Sequence, residues 1–300
     1  MKHISFDSIA GTVKAVCWDD VVNPIGTIQL AHGLGEYHDR YHEFAEFFNQ
    51  QGYLVFCNDH LGHGLNISED IPKGYFGDKD GYENVVNQLA EMNSHIRKNH
   101  PLNLHFLVAH SLGTAVSLSL LKRGLIFDGV VLSAAFSINP FMLFLNGLLL
   151  GLEMRAIGPK GISKQMEEFT TIKHNAPFKP QRTTHDWLST DDKRVDSYVS
   201  DPLCGFPNTA KLWDDLKNGF NGLWSKNSLG NIDETNRFLC LTGDKDSVNQ
   251  NGKQAKKIHD TLIEIGFESN FMSYSEMRHE IFQEVNRKTV FNNVLDFLKN

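Results

Sequence analysis

Leu104-His105-Phe106-Leu107-Val108-Ala109-His110-Ser111-Leu112-Gly113-Thr114 is an apolar run of strand length that ends on a serine and then turns helical. The spacing A-x-S-x-G puts Ser111 at a sharp strand-to-helix corner. There a hydroxyl stands clear of a sheet, and the next residue offers its backbone N–H to an oxyanion. Ala109 and Gly113 are the small residues that such a corner needs, because strand and helix backbones approach closely. The motif has meaning only in the right structural context. Leu112, Ala115, Val116, Leu118, Leu120 and Leu121 read as a buried helix over 112–122 without proline, and Gly129-Val130-Val131-Leu132-Ser133 as a second buried strand. Strand, corner, helix, strand is a βαβ unit, and its crossover makes the two strands parallel.

Outward from this unit the alternation continues. Residues 4–8 and 12–18 read as strands joined at Gly11, and 26–31 as a third. A helix is predicted near 41–51, closed by Gly52, and the strand 53–57 follows. Val85, Leu89, Met92 and Ile96 place one apolar stripe on a helix over 81–98 that Pro101 ends. Beyond Ser133 the alternation lapses through a proline-bearing stretch with a phenylalanine- and leucine-rich start. It resumes with a helix near 209–225, a strand at 237–241, a helix at 251–265, a strand at 270–274 and a final helix near 281–298. The expected class is α/β, a mostly parallel sheet flanked by helices, with 1–135 and 209–300 as the core and 136–208 as an inserted cap.

Composition sets outer limits. With 300 residues, 41% of them hydrophobic, the chain can bury one large core together with an inserted subdomain. A net charge of −7 and dispersed basic residues argue against a nucleic-acid partner. Cys17, Cys57, Cys204 and Cys240 show no C-x-x-C spacing, which suits buried free thiols in a reducing, cytoplasmic compartment. The first residues, Met1 to Asp7, hold no apolar stretch of signal-peptide length. The most hydrophobic segment, Phe141 to Leu152, covers twelve residues. That is short of the ~20 needed to cross a bilayer, so it is expected to lie on a membrane at most.

A serine hydroxyl is a poor nucleophile at neutral pH. It needs a base, and the base needs a third group to hold its tautomer. Thr242-Gly243-Asp244-Lys245-Asp246 and Arg278-His279-Glu280 both follow predicted strands, at the edge where open α/β sheets place their sites. The order Ser111, Asp246, His279 suits such a triad. Asp246 is preferred to Asp244 because it lies farther out on its loop. His32-Gly33-Leu34-Gly35-Glu36 follows the third strand, and the Leu34 N–H is assigned to an oxyanion hole beside that of Leu112. The loop Asp59 to Gly64 reads as a tight turn buttressing the site. His38 and His42 have metal-ligand spacing but no third ligand in the sequence. His279-Glu280 is not a zinc motif, because H-E-x-x-H needs histidine where Gln283 stands. No metal and no cofactor is expected.

His32-Gly-Leu-Gly-Glu36 with Arg40-Tyr41, Asp59-x-x-Gly62-His63-Gly64, His110-Ser111-Leu-Gly113, Gly243-Asp-Lys-Asp246 and His279-Glu280 resemble, in order and spacing, the α/β-hydrolases of the monoacylglycerol lipase and lysophospholipase group. That group includes proline iminopeptidase-like serine aminopeptidases. The resemblance covers nearly the whole chain except the insertion. It implies Ser111, Asp246 and His279 as triad and the N–H groups of Leu34 and Leu112 as oxyanion hole. Ala109 stands where glycine is usual, and Thr114 replaces a second glycine.

The resemblance says less about the substrate. The start of the insertion is almost uncharged from Phe136 to Leu152, and an apolar helix needs burial or lipid. Two accounts stay open: a cap helix packed on the core or in a dimer, or an acyl tunnel that docks on a membrane, with Phe141, Leu145 and Leu149 as chain contacts. The favoured reading is a serine hydrolase of small-molecule or lipid esters, monoacylglycerol- or lysophospholipid-like, with a short-chain carboxylesterase or an aminopeptidase of the same fold as alternatives. An aminopeptidase would use acidic cap residues such as Glu153, Glu167 and Glu168 for an ammonium, and a binding protein on the same scaffold would lack the filled catalytic positions. The oligomeric state is not legible.

Overall fold

The structure is a computed structural model and describes residues 1–8, 11–101 and 104–300. Eight strands form one sheet in the order β1-β2-β4-β3-β5-β6-β7-β8. β1 (Lys2–Ser8) and β2 (Gly11–Trp18) make an antiparallel hairpin on one edge, and β2 pairs antiparallel with β4 (Tyr53–Asn58). From β4 onward all pairings are parallel: β3 (Gly26–Ala31), β5 (Leu104–His110), β6 (Gly129–Ser133), β7 (Phe238–Gly243) and β8 (Ser269–Tyr274). Every residue of β3, β4, β6 and β7 is buried. Parallel strands read as unbroken apolar runs for that reason: helices cover both faces of the sheet.

On one face α1 (His42–Gln50) and the helix Arg287–Lys299 pack Phe44, Phe48, Phe291 and Val294 over β3 to β7. On the other, α2 (Gly81–Asn99), α3 (Leu112–Leu121) and the helix Lys253–Glu264 contribute Val85, Leu89, Leu118 and Ile258. The four cysteines are buried free thiols.

Two expected helices differ in extent. The one predicted to run to 225 ends at Phe220, because Gly222 adopts φ +70° and breaks the turn. The final helix begins at Arg287 rather than near 281. A single 3₁₀ turn, Ile281–Gln283, precedes an extended Glu284 whose carboxylate is drawn into tertiary hydrogen bonds. Helical propensity yields there to those contacts.

Between β6 and β7 the described chain adds no strand to the sheet. It opens with α4 (Pro140–Ile157), whose Asn139 side chain caps Phe141 N and Met142 N and whose first turn carries Pro140. Gly158, at φ +79°, follows its last residue. At 18 residues this helix is longer than the twelve-residue apolar run, and by length and composition it is a membrane-span candidate. One side of it packs along the helix Ala210–Phe220 and buries Leu143 and Leu150. The expected chain contacts are corrected here: Phe141, Leu145 and Leu149 lie on the outer side, 65%, 37% and 47% exposed. Apolar residues occur all round this helix, so its sequence carries no phase to say which side faces inward.

Two glycines distinguish close approach from open space. A Cβ on Gly113 would be driven into the Ala31 carbonyl oxygen, whereas one on Gly151 would meet nothing within 4 Å. Gly113→Ala is expected to destabilise by about 3 kcal/mol through overpacking. Gly151→Ala should instead stabilise by about 0.5–1 kcal/mol as a helix-interior replacement. Urea denaturation of the two variants beside the parent checks both signs.

Candidate active site

Ser111 is the hinge residue between β5 and α3, with φ 49° and ψ −117°. This is a strained conformation for a residue with a side chain, and only a surrounding structure that over-determines it can hold it. Its N–H donates to Ser133 O on β6 at 2.9 Å, and its carbonyl accepts from Thr114 N at 2.9 Å and Thr114 Oγ1 at 2.7 Å. Thr114, a departure from the usual glycine, thus contributes a hydrogen bond to the corner.

The loops after β7 and β8 reach the same edge of the sheet. His279 Nε2 lies 2.9 Å from Ser111 Oγ, and His279 Nδ1 lies 3.0 Å from both carboxylate oxygens of Asp246. Asp244 sits elsewhere, accepting from Glu276 N at 2.8 Å. The carboxylate fixes the tautomer: Nδ1–H donates to Asp246, leaving Nε2 to accept from the serine hydroxyl. His279 and Asp246 are buried. Burial by itself pushes the imidazolium down, but the Asp246 carboxylate, by charge and hydrogen bond, outweighs it. With smaller help from Glu280 and Glu36, His279 titrates above the ordinary histidine value of 6.5.

The β3 loop completes the edge. Leu34 and Leu112 both line the cavity beside Ser111. The loop carrying Leu34 is pinned from two sides: Gly33 N donates to Glu36 Oε1, and Gly35 N donates to His63 Nε2 at 3.1 Å. For His63 to accept, it must be neutral, with its Nδ1–H donating to Leu61 O at 2.9 Å. Burial holds it so, with a pKa lowered to about 4. Asp59 closes the same turn by accepting from His38 N and Leu65 N, both at 2.8 Å. The 59–64 loop therefore braces the β3 loop, as a buttress. His38 pairs with Asp59 and His42 accepts from Trp18 Nε1, so the two face different partners. Among the described residues no cluster of three potential ligands could hold a metal ion.

Several site residues were not assigned roles from the sequence. Arg40 is buried between two carboxylates, paired with Glu280 and 3.9 Å from Glu36. Burial and the neighbouring Glu280 charge push Glu36 up to about 7, against the pull of Arg40, Tyr41 and Gly33 N–H. Glu36 closes the H-G-x-G-E motif and Arg40 belongs to the Arg40-Tyr41 pair that follows it, but nothing in the sequence reveals that Glu280 joins them. The cavity in front of Ser111 is about 410 Å³. Phe136, Met142, Leu143, Leu150, Trp213 and Phe220 line its apolar part, and Glu36, Glu280, His185 and Tyr198 its polar end.

Titration of His279 tests the electrostatic account. In Asp246→Asn the largest charge that lifts the imidazole is gone and burial is opposed only by the smaller pull of Glu280 and Glu36, so the midpoint should fall below that of the parent. Imidazole NMR measures it, and an unchanged midpoint would contradict the assignment of cause.

Known proteins share the family and the fold of this chain. A sequence profile of the family described as "Serine aminopeptidase, S33" matches residues 22–286. The monoglyceride lipase of Rattus norvegicus is 29% identical over 187 residues, 62% of this chain and 54% of that protein, so the match spans about half of that relative's length. The monoacylglycerol lipase of Mycolicibacterium smegmatis is 22% identical over 303 residues, covering 98% and 95% of the two chains. Among solved structures, a thermostable carboxyl esterase from Bacillus coagulans superposes with TM-score 0.89 at 22% identity, covering 99% and 97%. The fold is shared with that esterase, and the profile spans most of the chain: the protein is an α/β-hydrolase of the serine aminopeptidase S33 family.

Proposed function

We propose that this chain is a serine hydrolase that cleaves carboxylic esters of lipid-like substrates, of monoacylglycerol or lysophospholipid type, through an acyl-enzyme. One observation carries the reading. The hydrogen-bonded line Ser111–His279–Asp246 opens into a mostly apolar cavity roofed by α4. In this mechanism Ser111 Oγ attacks the ester carbonyl as His279 Nε2 takes its proton, and the Leu34 and Leu112 N–H groups receive the oxyanion. His279 then protonates the leaving alcohol. Water, deprotonated by the same imidazole, releases the acid. The relatives named for monoacylglycerol cleavage support the substrate class.

Residues 136–208 act in this reading as a cap. Leu143 and Leu150, which line the cavity, receive the acyl chain. The outer side of α4 exposes Phe141, Phe144, Leu148 and Leu152 and is the face that meets a lipid surface, giving peripheral membrane contact. An aminopeptidase reading has the Glu36–Glu280 pair in its favour, since both carboxylates line the cavity. Arg40 already neutralises one of the two charges, which makes the ester reading the better supported.

Ser111→Ala should leave the fold intact, abolish labelling by a fluorophosphonate probe and lower ester hydrolysis by several orders of magnitude. A panel of long-chain monoacylglycerols, an acetyl ester and prolyl amides decides the class; faster turnover of the amides would overturn the ester reading. Leu143→Ser with Leu150→Ser should raise KM for long-chain esters much more than for the acetyl ester, because each buried methylene contributes about 0.8 kcal/mol. Leu145→Ser with Leu149→Ser should leave KM for dissolved short esters unchanged and weaken binding to phospholipid vesicles.

Since His279 must be neutral to accept a proton, and its pKa is raised above 6.5, kcat/KM should rise with pH, with a midpoint above that of an ordinary histidine. Glu36, pushed up to about 7, also changes charge in the neutral range, so the observed midpoint belongs to the cluster rather than to one group. Full activity at pH 4.5 would exclude this base.

A further inference from the structure

We infer that the inserted segment from His174 to Gly205 is a fixed collar that positions the loops of the site, with Glu284 as the positioning residue that clasps it to the His279 loop. The inference rests on the reading of His279 as general base. It separates the insertion into two parts, a collar hydrogen-bonded to the core loops and the apolar helix α4, so that the insertion is not one swinging lid.

The bonds fall on three of the four elements that meet at the site. At the His279 loop, His279 N donates to Trp187 O at 3.3 Å and Glu280 N to Leu188 O at 2.7 Å, while the Trp187 ring stands 5.2 Å from the His279 ring. Ser189 Oγ donates to Gln283 O at 3.1 Å, and the Arg278 guanidinium donates to Asp186 O and to Ser189 O. At the Asp246 loop, Ser247 Oγ donates to His174 O at 2.7 Å. At the β3 loop, Gly205 N donates to Gly35 O at 2.9 Å, next to Leu34.

Glu284 closes the arrangement. It is 1% exposed, and its carboxylate forms no ion pair among the described residues. Its donors are Arg278 N at 2.7 Å on one side of His279 and, from the collar, Thr190 N at 3.0 Å together with Thr190 Oγ1. A buried carboxylate satisfied only by N–H and O–H donors is costly to desolvate. Here one side chain joins both flanks of the His279 loop to the collar. The loop needs that restraint, because between β8 and the helix Arg287–Lys299 it contains only the short turn Ile281–Gln283. A base displaced by 1 Å from its nucleophile loses about 100-fold in rate.

The test uses the whole protein, a water-soluble acetyl ester and active sites counted with a fluorophosphonate. Glu284→Ala should lower kcat per counted site by roughly 10- to 100-fold with KM nearly unchanged. The acid limb of kcat/KM should move to lower pH, because an imidazole that has drifted from Asp246 loses the charge that lifts it. Thr190→Val, which removes one donor, and Glu284→Gln, which keeps one oxygen, should shift both quantities in the same direction by less. They decide the matter if Glu284→Ala does not fold. A lower melting temperature with kcat per counted site and pH profile at parent values would overturn the clasp. His279→Ala is the control that separates the two ideas. If it keeps parent activity, the reading of the base fails; if it is inactive while the Glu284 and Thr190 variants match the parent, only the clasp fails.

Discussion

The backbone of Ser111 is the constraint from which the rest of this molecule follows. A non-glycine residue at φ 49° and ψ −117° costs about 1–3 kcal/mol and would relax if it could. Two close approaches prevent that. Gly113 lies against the carbonyls of Ala31 and His32, and Ser111 N–H is held by Ser133 O on the neighbouring strand. Both depend on β3, β5 and β6 being adjacent, parallel and covered on both faces. Large buried rings such as Phe44, Phe106 and Phe291 secure that cover, so the strain at one serine is sustained by packing spread over the whole core.

Once the corner exists, the electrostatics of the edge become a matter of keeping the right groups neutral. His32, His60 and His63 are packed together and fully buried, and burial lowers the pKa of each. Neutral imidazoles can accept as well as donate, and His63 uses that freedom to hold Gly35 N–H. His279 is likewise buried but moves in the opposite direction, because Asp246 touches it, whereas among the described residues His63 is hydrogen-bonded to Gly35 N–H and Leu61 O and to no carboxylate. Two histidines in the same low-dielectric surroundings thus shift in opposite directions according to one adjacent charge.

The insertion follows the same logic of satisfied groups. Its polar stretch meets the core loops through backbone N–H and C=O groups, which cannot be buried unpaired and so fix their own register. Its apolar start, α4, has no such obligations on its outer side, where phenylalanine and leucine side chains stand exposed.

The strands and helices of the core were legible because burial writes itself into period and run length. β3, β5 and β6 begin and end where their apolar runs do, and Ser111, Asp246 and His279 were identified as following strands of a parallel sheet. The sequence by itself therefore determined the fold class, the corner at Ser111 and which loops would meet. Tertiary structure alone decided the inward side of α4, since a helix apolar all round has no phase. It also decided the break at Glu284, where long-range hydrogen bonds outweigh helical propensity, and the pairing of Arg40 with Glu280. That pair joins residues 240 positions apart, and no local period records such a contact.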